Sequence, residues 1–178
     1  METVRIGIIG IGNMGSAHAT SIFAGRIKGL TLAAVCDIDP DKRQWAAEHL
    51  PGMPFFSQYA DLIQSGLADA ILIATPHYLH PEIAIAGFAQ GLHVLTEKPA
   101  GVFAGQVYRM NEAARQSGKV FGIMFNQRTN PLYQKAREMV QTGVLGQPKR
   151  LLWVITNWYR TQGYYNSGTW RATWAGEG

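Results

Sequence analysis

A short apolar run that ends directly on a spaced glycine triplet leaves a chain few options. Val4-Arg-Ile-Gly-Ile-Ile9 reads as a buried strand and passes straight into Gly10-Ile-Gly12-Asn13-Met14-Gly15. A helical pattern starts near Asn13 and carries Ala17, Ala19 and Ile22 to about Phe23. Strand, glycine turn, helix is the context in which Gly-x-Gly-x-x-Gly binds a dinucleotide. Gly10 permits the tight turn, Gly12 lets a pyrophosphate approach the backbone, and Gly15 lets the helix pack on the strand. The helix start, with Asn13 and Met14 in its first turn, offers N–H groups and partial positive charge to the phosphates.

With 20 glycines in 178 residues, the triplet alone also fits an ordinary turn. An acidic residue at the right distance separates the two readings. Leu32-Ala-Ala-Val-Cys36 reads as a second strand, and Asp37 follows it, 22 residues after Gly15. A carboxylate there accepts hydrogen bonds from the adenosine ribose of NAD and repels the 2′-phosphate of NADP. NAD is therefore expected ahead of NADP, although Lys42 and Arg43 lie near enough in sequence to offer a phosphate some compensation.

Further along, apolar runs alternate with helical stretches. Asp39-Pro40 opens a helix to about Leu50, Phe55-Phe56 is a short strand, and Ser57 opens a helix to about Ser65. Ala70–Ala74 is a strand, and a helix covers about Pro81–Ala89. Leu92–Leu95 is a strand, a helix covers about Phe103–Ser117, and Val120–Met124 is a strand. This alternation specifies a parallel sheet covered on both faces, a doubly wound α/β Rossmann domain over residues 1–124. The pattern then changes. A helix from Asn130-Pro131 to about Gln141 is followed by Lys149–Arg160, which reads as one long strand. Residues 125–178 are therefore expected to begin a second α/β domain with an open mixed sheet. Four of the five tryptophans lie between positions 153 and 174. One helix and one strand cannot cover that aromatic surface, so the sequence is expected to be a fragment whose second domain continues beyond Gly178.

Composition narrows the function classes. Residues 1–118 carry 8 basic and 10 acidic side chains, and residues 119–178 carry 8 and 2. The basic residues of the second stretch are scattered, which argues against nucleic acid as a partner. No apolar run approaches the ~20 residues of a membrane helix, and no signal core precedes Val4. A cytoplasmic protein is expected, with the lone Cys36 a buried inert thiol. No His, Cys and carboxylate grouping has metal-ligand spacing, so no metal is expected.

In a doubly wound sheet, ligands bind beyond the carboxyl ends of the strands. Two loops there carry chemistry. Thr96-Glu97-Lys98-Pro99 follows the fifth strand. Lys98 can bond a substrate hydroxyl and take its proton, Glu97 can pair with it or shape the loop, and Pro99 can be cis. Thr75-Pro76-His77-Tyr78-Leu79-His80 follows the fourth strand and borders the cofactor crevice. Either histidine can relay protons or meet the cofactor, against a packing role for each. His18 is read as structural. Asn126 and Arg128 follow the sixth strand and are candidates to face a hydroxylated substrate, as are Tyr159 and Arg171. These four equally fit an unfinished sheet or interface.

Together these residues resemble the glucose–fructose oxidoreductase / inositol dehydrogenase / MocA family. Gly10–Gly15 with His18 looks like its opening motif, and Val35-Cys-Asp-Ile-Asp39 like its second strand. Thr75-Pro76 with His80 resembles its fourth-strand loop, with His77 where the family often has Asn. Gly91-Leu-His-Val-Leu-Thr-Glu-Lys-Pro99 is the most specific match. The resemblance implies an NAD(P)-dependent oxidoreductase that moves a hydride between a nicotinamide cofactor and a sugar, cyclitol or related alcohol or ketone. It also implies Lys98 as the catalytic-site lysine and a C-terminal sheet that builds homo-oligomers. The alternatives are a non-catalytic nucleotide-binding module or sensor, and an NAD-assisted non-redox sugar enzyme.

Overall fold

The computed structural model describes residues 3–156, 159–166, 168 and 170–177. Packing divides the chain into two units, Met1–Met124 with Thr173–Gly178, and Phe125–Ala172. The first unit is built on six strands: β1 (Val4–Ile9), β2 (Leu30–Cys36), β3 (Phe55–Phe56), β4 (Ala70–Ile73), β5 (His93–Thr96) and β6 (Phe121–Ile123). They pair in the order β3-β2-β1-β4-β5-β6, and every pairing is parallel. The chain leaves β1 in one direction, reaches β3, and returns past β1 to start β4. This reversal opens a crevice at the carboxyl ends of β1 and β4, the place where such sheets take ligands.

Burial explains why these runs became central strands. Ile8 and Ile9 of β1 and Ile71 and Ile73 of β4 are at most 2% exposed. Each contributes roughly 1.5–3 kcal/mol by leaving water. Along β4 the side chains alternate: Ala70 and Leu72 join one core cluster, and Ile71 and Ile73 the other. The first cluster is closed by α1 (Asn13–Phe23) and α2 (Pro40–His49). The second is closed by α3 (Tyr59–Gln64), α4 (His80–Ala89) and α5 (Ala104–Ser117). Gly7 interrupts β1 because Leu62 of α3 packs there; a Cβ at Gly7 would sit 2.7 Å from Leu62 Cδ2.

The helix ends follow local chemistry. Asp39 caps α2 by accepting from Asp41 N at 2.9 Å, with Pro40 in the first turn. Gly118 closes α5 at φ 65°, the left-handed conformation that favours glycine. The expected helix and strand positions in residues 4–124 agree with these elements to within a few residues at their ends.

The second unit holds α6 (Pro131–Gln141) and α7 (Gln162–Asn166). Asn130 caps α6, accepting from Leu132 N at 3.0 Å. The long strand expected over 149–160 is not formed among the described residues of that run, 149–156 with 159 and 160; Asn157 and Trp158 lie outside the described residues. Leu151 and Leu152 are 86% and 80% exposed. A strand needs a neighbour to pair its N–H and C=O groups, and no described segment pairs with this run. The expected open mixed sheet is accordingly not seen. The segment Thr173–Gly178, expected to continue the second domain, groups instead with the first unit. There α8 (Trp174–Glu177) packs on the loop after β4, and Tyr78 donates its hydroxyl to Trp174 O at 2.8 Å.

Candidate active site

The turn between β1 and α1 depends on two of its three glycines, and the third leaves open space beside it. Gly10 adopts φ 86°, and a Cβ there would lie 2.8 Å from the backbone of Ala74 and Thr75. At Gly15 a Cβ would meet Gly10 O at 1.8 Å, so α1 sits against the turn only because that atom is missing. Gly12 differs: a Cβ there would meet nothing within 4 Å. The space over Gly12 is open, and α1 starts with no side-chain cap and no acidic residue in its first turn. Asn13 and Met14 lie exposed in that turn. A ligand diphosphate suits this loop, since first-turn N–H groups and the positive helix end face open space.

Asp37, at the end of β2, accepts from Ile11 N at 2.8 Å through one oxygen and from Asp39 N at 3.0 Å through the other. Its carboxylate therefore orders the glycine loop, and its remaining lone pairs stay available to ribose hydroxyls. Arg43 is engaged within the chain. Its guanidinium lies 4.6 Å over the Phe55 ring and donates to Ser57 Oγ at 3.1 Å. Cys36 beneath this edge is buried, and burial, with Asp37 and Asp61 nearby, pushes its thiol up to about 12. That is the inert thiol expected from its setting.

The loops after β4 and β5 are tied together by His80. The ring is fully buried. Nδ1 lies 2.7 Å from Pro99 O and Nε2 lies 2.8 Å from Thr75 O. Cofactor contact and packing were both open for His80; with no exposed surface and both ring nitrogens close to main-chain carbonyls, it braces the two loops. Thr75 is half-buried and Pro76 exposed at the crevice rim. His77 is half-buried, and burial holds its imidazole below the ordinary range, with the charges of His80 and Lys98 acting in the same direction.

The β5 loop presents a buried acid beside an exposed base. Glu97 is 8% exposed. Its Oε1 lies 2.9 Å from His18 Nε2 of α1, and its Oε2 accepts from Lys98 N at 3.3 Å. The His18 hydrogen bond holds Glu97 below the usual carboxylate range despite burial, helped by the Lys98 amide and by the His18 and Lys98 charges. Lys98 is exposed, and its ammonium makes no hydrogen bond or ion pair among the described residues. The Lys98–Pro99 peptide is cis. The His18–Glu97 pair escaped sequence reading because 79 residues separate its members. The first unit thus gathers the glycine turn, Asp37, Thr75, Pro76, Glu97 and Lys98 along one carboxyl edge of the sheet.

The other candidates belong to the second unit. Asn126 and Arg128 sit on a short 3-10 turn, Asn126–Thr129, and Arg128 lies 4.8 Å over the Phe125 ring. Tyr159 is 85% exposed. Arg171 donates to Tyr164 Oη at 2.8 Å and stacks on the Tyr164 and Trp170 rings. No group of three or more potential metal ligands occurs among the described residues. No described helix is long and apolar enough to cross a membrane.

Comparison with known proteins gives a consistent answer. Residues 4–125 match the GFO_IDH_MocA family model, described as an oxidoreductase family with an NAD-binding Rossmann fold. The chain is 33% identical over 146 residues to inositol 2-dehydrogenase 4 of Saccharopolyspora erythraea, covering 82% of this chain and 43% of that protein. Among solved structures it is similar to the scyllo-inositol dehydrogenase of Lactobacillus casei with bound NAD(H) and scyllo-inositol. That match has a TM-score of 0.77 and 28% identity, over 82% of this chain and 43% of the other. It is also similar to the WlbA dehydrogenase of Bordetella pertussis in complex with NADH and UDP-GlcNAcA. Here the TM-score is 0.85 and the identity 29%, over 99% of this chain and 53% of the other. The chain spans a little under half the length of the curated relatives it matches. By the match over residues 4–125, this chain belongs to the glucose–fructose oxidoreductase / inositol dehydrogenase / MocA family of oxidoreductases, with an NAD-binding Rossmann fold.

Proposed function

We propose that this chain forms the cofactor-binding part of an NAD-dependent dehydrogenase acting on a secondary alcohol of a cyclitol or sugar. The observation that carries the reading is Lys98, an exposed ammonium with no ion-pair or hydrogen-bond partner among the described residues, on the same sheet edge as the open glycine turn. NAD, when bound, supplies the carbon that accepts the hydride. Gly10, Gly12 and Gly15 with the α1 amides of Asn13 and Met14 hold the diphosphate, and Asp37 takes the ribose hydroxyls. Thr75, Pro76 and Glu97 form the crevice walls that keep the cofactor in register. Lys98 bonds the substrate hydroxyl and, as free amine, accepts its proton. NAD is preferred to NADP because Asp37 repels a 2′-phosphate while Arg43 is engaged with Phe55 and Ser57.

Residues 1–124 are the cofactor domain in this reading, and residues 125–172 contribute to a substrate and oligomerisation domain. Asn126, Arg128, Tyr159 and Arg171 are the substrate-facing candidates there. The exposed apolar run Leu151–Ile155 is the surface through which copies of the chain associate. A cytoplasmic setting belongs to the same proposal.

The test uses this chain and the complete reading frame that encodes it. NADH and NADPH are titrated, then NAD reduction is followed with scyllo-inositol, myo-inositol and a UDP-linked sugar acid. Turnover of an inositol that is lost in Lys98→Ala supports the proposal. Turnover confined to the UDP-sugar acid would favour a nucleotide-sugar dehydrogenase, the reading suggested by the 99% coverage of the WlbA match. NADH binding without any turnover would leave a non-catalytic module.

A further inference from the structure

A buried carboxylate next to a lysine normally captures that lysine. Here it does not. Glu97 is 8% exposed and adjoins Lys98 in sequence, yet its oxygens are taken by His18 Nε2 at 2.9 Å and by the Lys98 main-chain N–H at 3.3 Å. The Lys98 charge acts on Glu97 without forming an ion pair. An ionised carboxylate only accepts hydrogen bonds, so His18 Nε2 must carry a proton toward it. We propose that His18 is a positioning residue: by occupying Glu97 from α1, it keeps the buried carboxylate off Lys98 and leaves that amine free to meet a substrate hydroxyl.

This inference deepens the dehydrogenase reading and rests on it for the use made of Lys98. The physical argument is one of competition. A buried carboxylate without a hydrogen-bond donor is costly and takes the nearest available cation. With His18 removed, that cation is Lys98, one residue away. On the Lys98 side, His77 from the turn after β4 feels the charges of Lys98, of His80 from α4 and of Glu177, whose carbonyl oxygen also lies near its ring. His80 is already engaged by Thr75 O and Pro99 O. Substituting His18 leaves these three in place, so a change at Lys98 reports on Glu97.

The experiment follows Lys98 directly. The chain is reductively methylated with a 13C-labelled reagent and each dimethyl-lysine is titrated by NMR, the Lys98 signal being the one absent in Lys98→Ala. In His18→Ala the Lys98 signal should titrate about one pH unit higher than in the wild type, leaving roughly tenfold less free amine at a given pH. His18→Gln, whose amide reaches the same oxygen, should restore the wild-type midpoint. Adding Glu97→Gln to His18→Ala should also restore it, since no carboxylate remains. If His18→Ala does not fold, His18→Asn, too short to reach Glu97, takes its place. An unchanged Lys98 midpoint in the folded Ala or Asn variant overturns the proposal, because the orphaned carboxylate has then found a donor other than Lys98. A midpoint that moves equally in His18→Gln overturns it too. Neither NAD nor substrate is needed for this titration, so failure of the dehydrogenase reading shows separately, as absent cofactor binding or turnover.

Discussion

Gly12 and Gly15 make opposite predictions for the same one-methyl change. At Gly15 a Cβ would sit 1.8 Å from Gly10 O and 2.9 Å from Gly10 C, both rigid main-chain atoms. Gly15→Ala must push α1 off the turn, an overpacking cost of about 1–3 kcal/mol or more. At Gly12 a Cβ meets nothing within 4 Å, and the residue is extended at φ −64° and ψ −155°, with the negative φ that alanine prefers. Its folding terms nearly cancel. Alanine restricts the unfolded chain, worth about 0.4–1 kcal/mol, but is a poorer helix N-cap than glycine by a comparable amount. Unfolding free energy in Gly12→Ala should therefore stay within about 1 kcal/mol of the wild type. Binding should not survive so well, since the methyl enters the space proposed for the diphosphate. The same overpacking range gives an NADH Kd weaker by roughly 5- to 150-fold. Fluorescence titration with NADH and urea unfolding on the same samples check both halves. Wild-type affinity in Gly12→Ala, or affinity and stability falling together, would refute the argument that this space belongs to a ligand.

Other outcomes follow from the same geometry. Glu97 is held below its ordinary range in the folded chain, so its contribution to stability is fully present above about pH 4.5 and is lost as pH falls through the lower folded value. Urea unfolding of wild type and Glu97→Gln should differ most near neutrality and converge in acid. Asp37→Ser should weaken NADH binding through both the lost ribose acceptor and the loosened Ile11 amide. NADPH binding should remain weak in this variant, since Arg43 stays engaged with Phe55 and Ser57, as competitive titration will show. Cys36, with its thiol pushed up to about 12, should resist iodoacetamide at pH 8 in the folded protein and react once urea exposes it.

Much of the first unit was legible because its signals are local. Short apolar runs, several of them ended by a glycine, proline or acidic residue, mark strands whatever their neighbours are. Asp39-Pro40 marks the start of α2 by its own hydrogen bonding. In the second unit the helix after Asn130 was equally legible, while the strand expected over 149–160 is not formed among the described residues, for the complementary reason. Lys149–Arg160 has the composition of a strand, yet a strand exists only when another segment supplies its hydrogen bonds, and composition does not report the partner. His80 shows the same limit within the site. Its position beside the crevice suggested cofactor contact, while burial turned its ring onto Thr75 and Pro99.

The chain's own order of residues determined the glycine turn, the acid 22 positions later and the lysine after the fifth strand, since each depends on steric or chemical properties of neighbours in sequence. Folding alone decided what those groups touch. It joined His18 to Glu97, parked Arg43 on Phe55 and left Lys98 without a partner among the described residues. Contacts between residues far apart in sequence are set by how helices seat on a sheet, and no spacing along the chain encodes that distance.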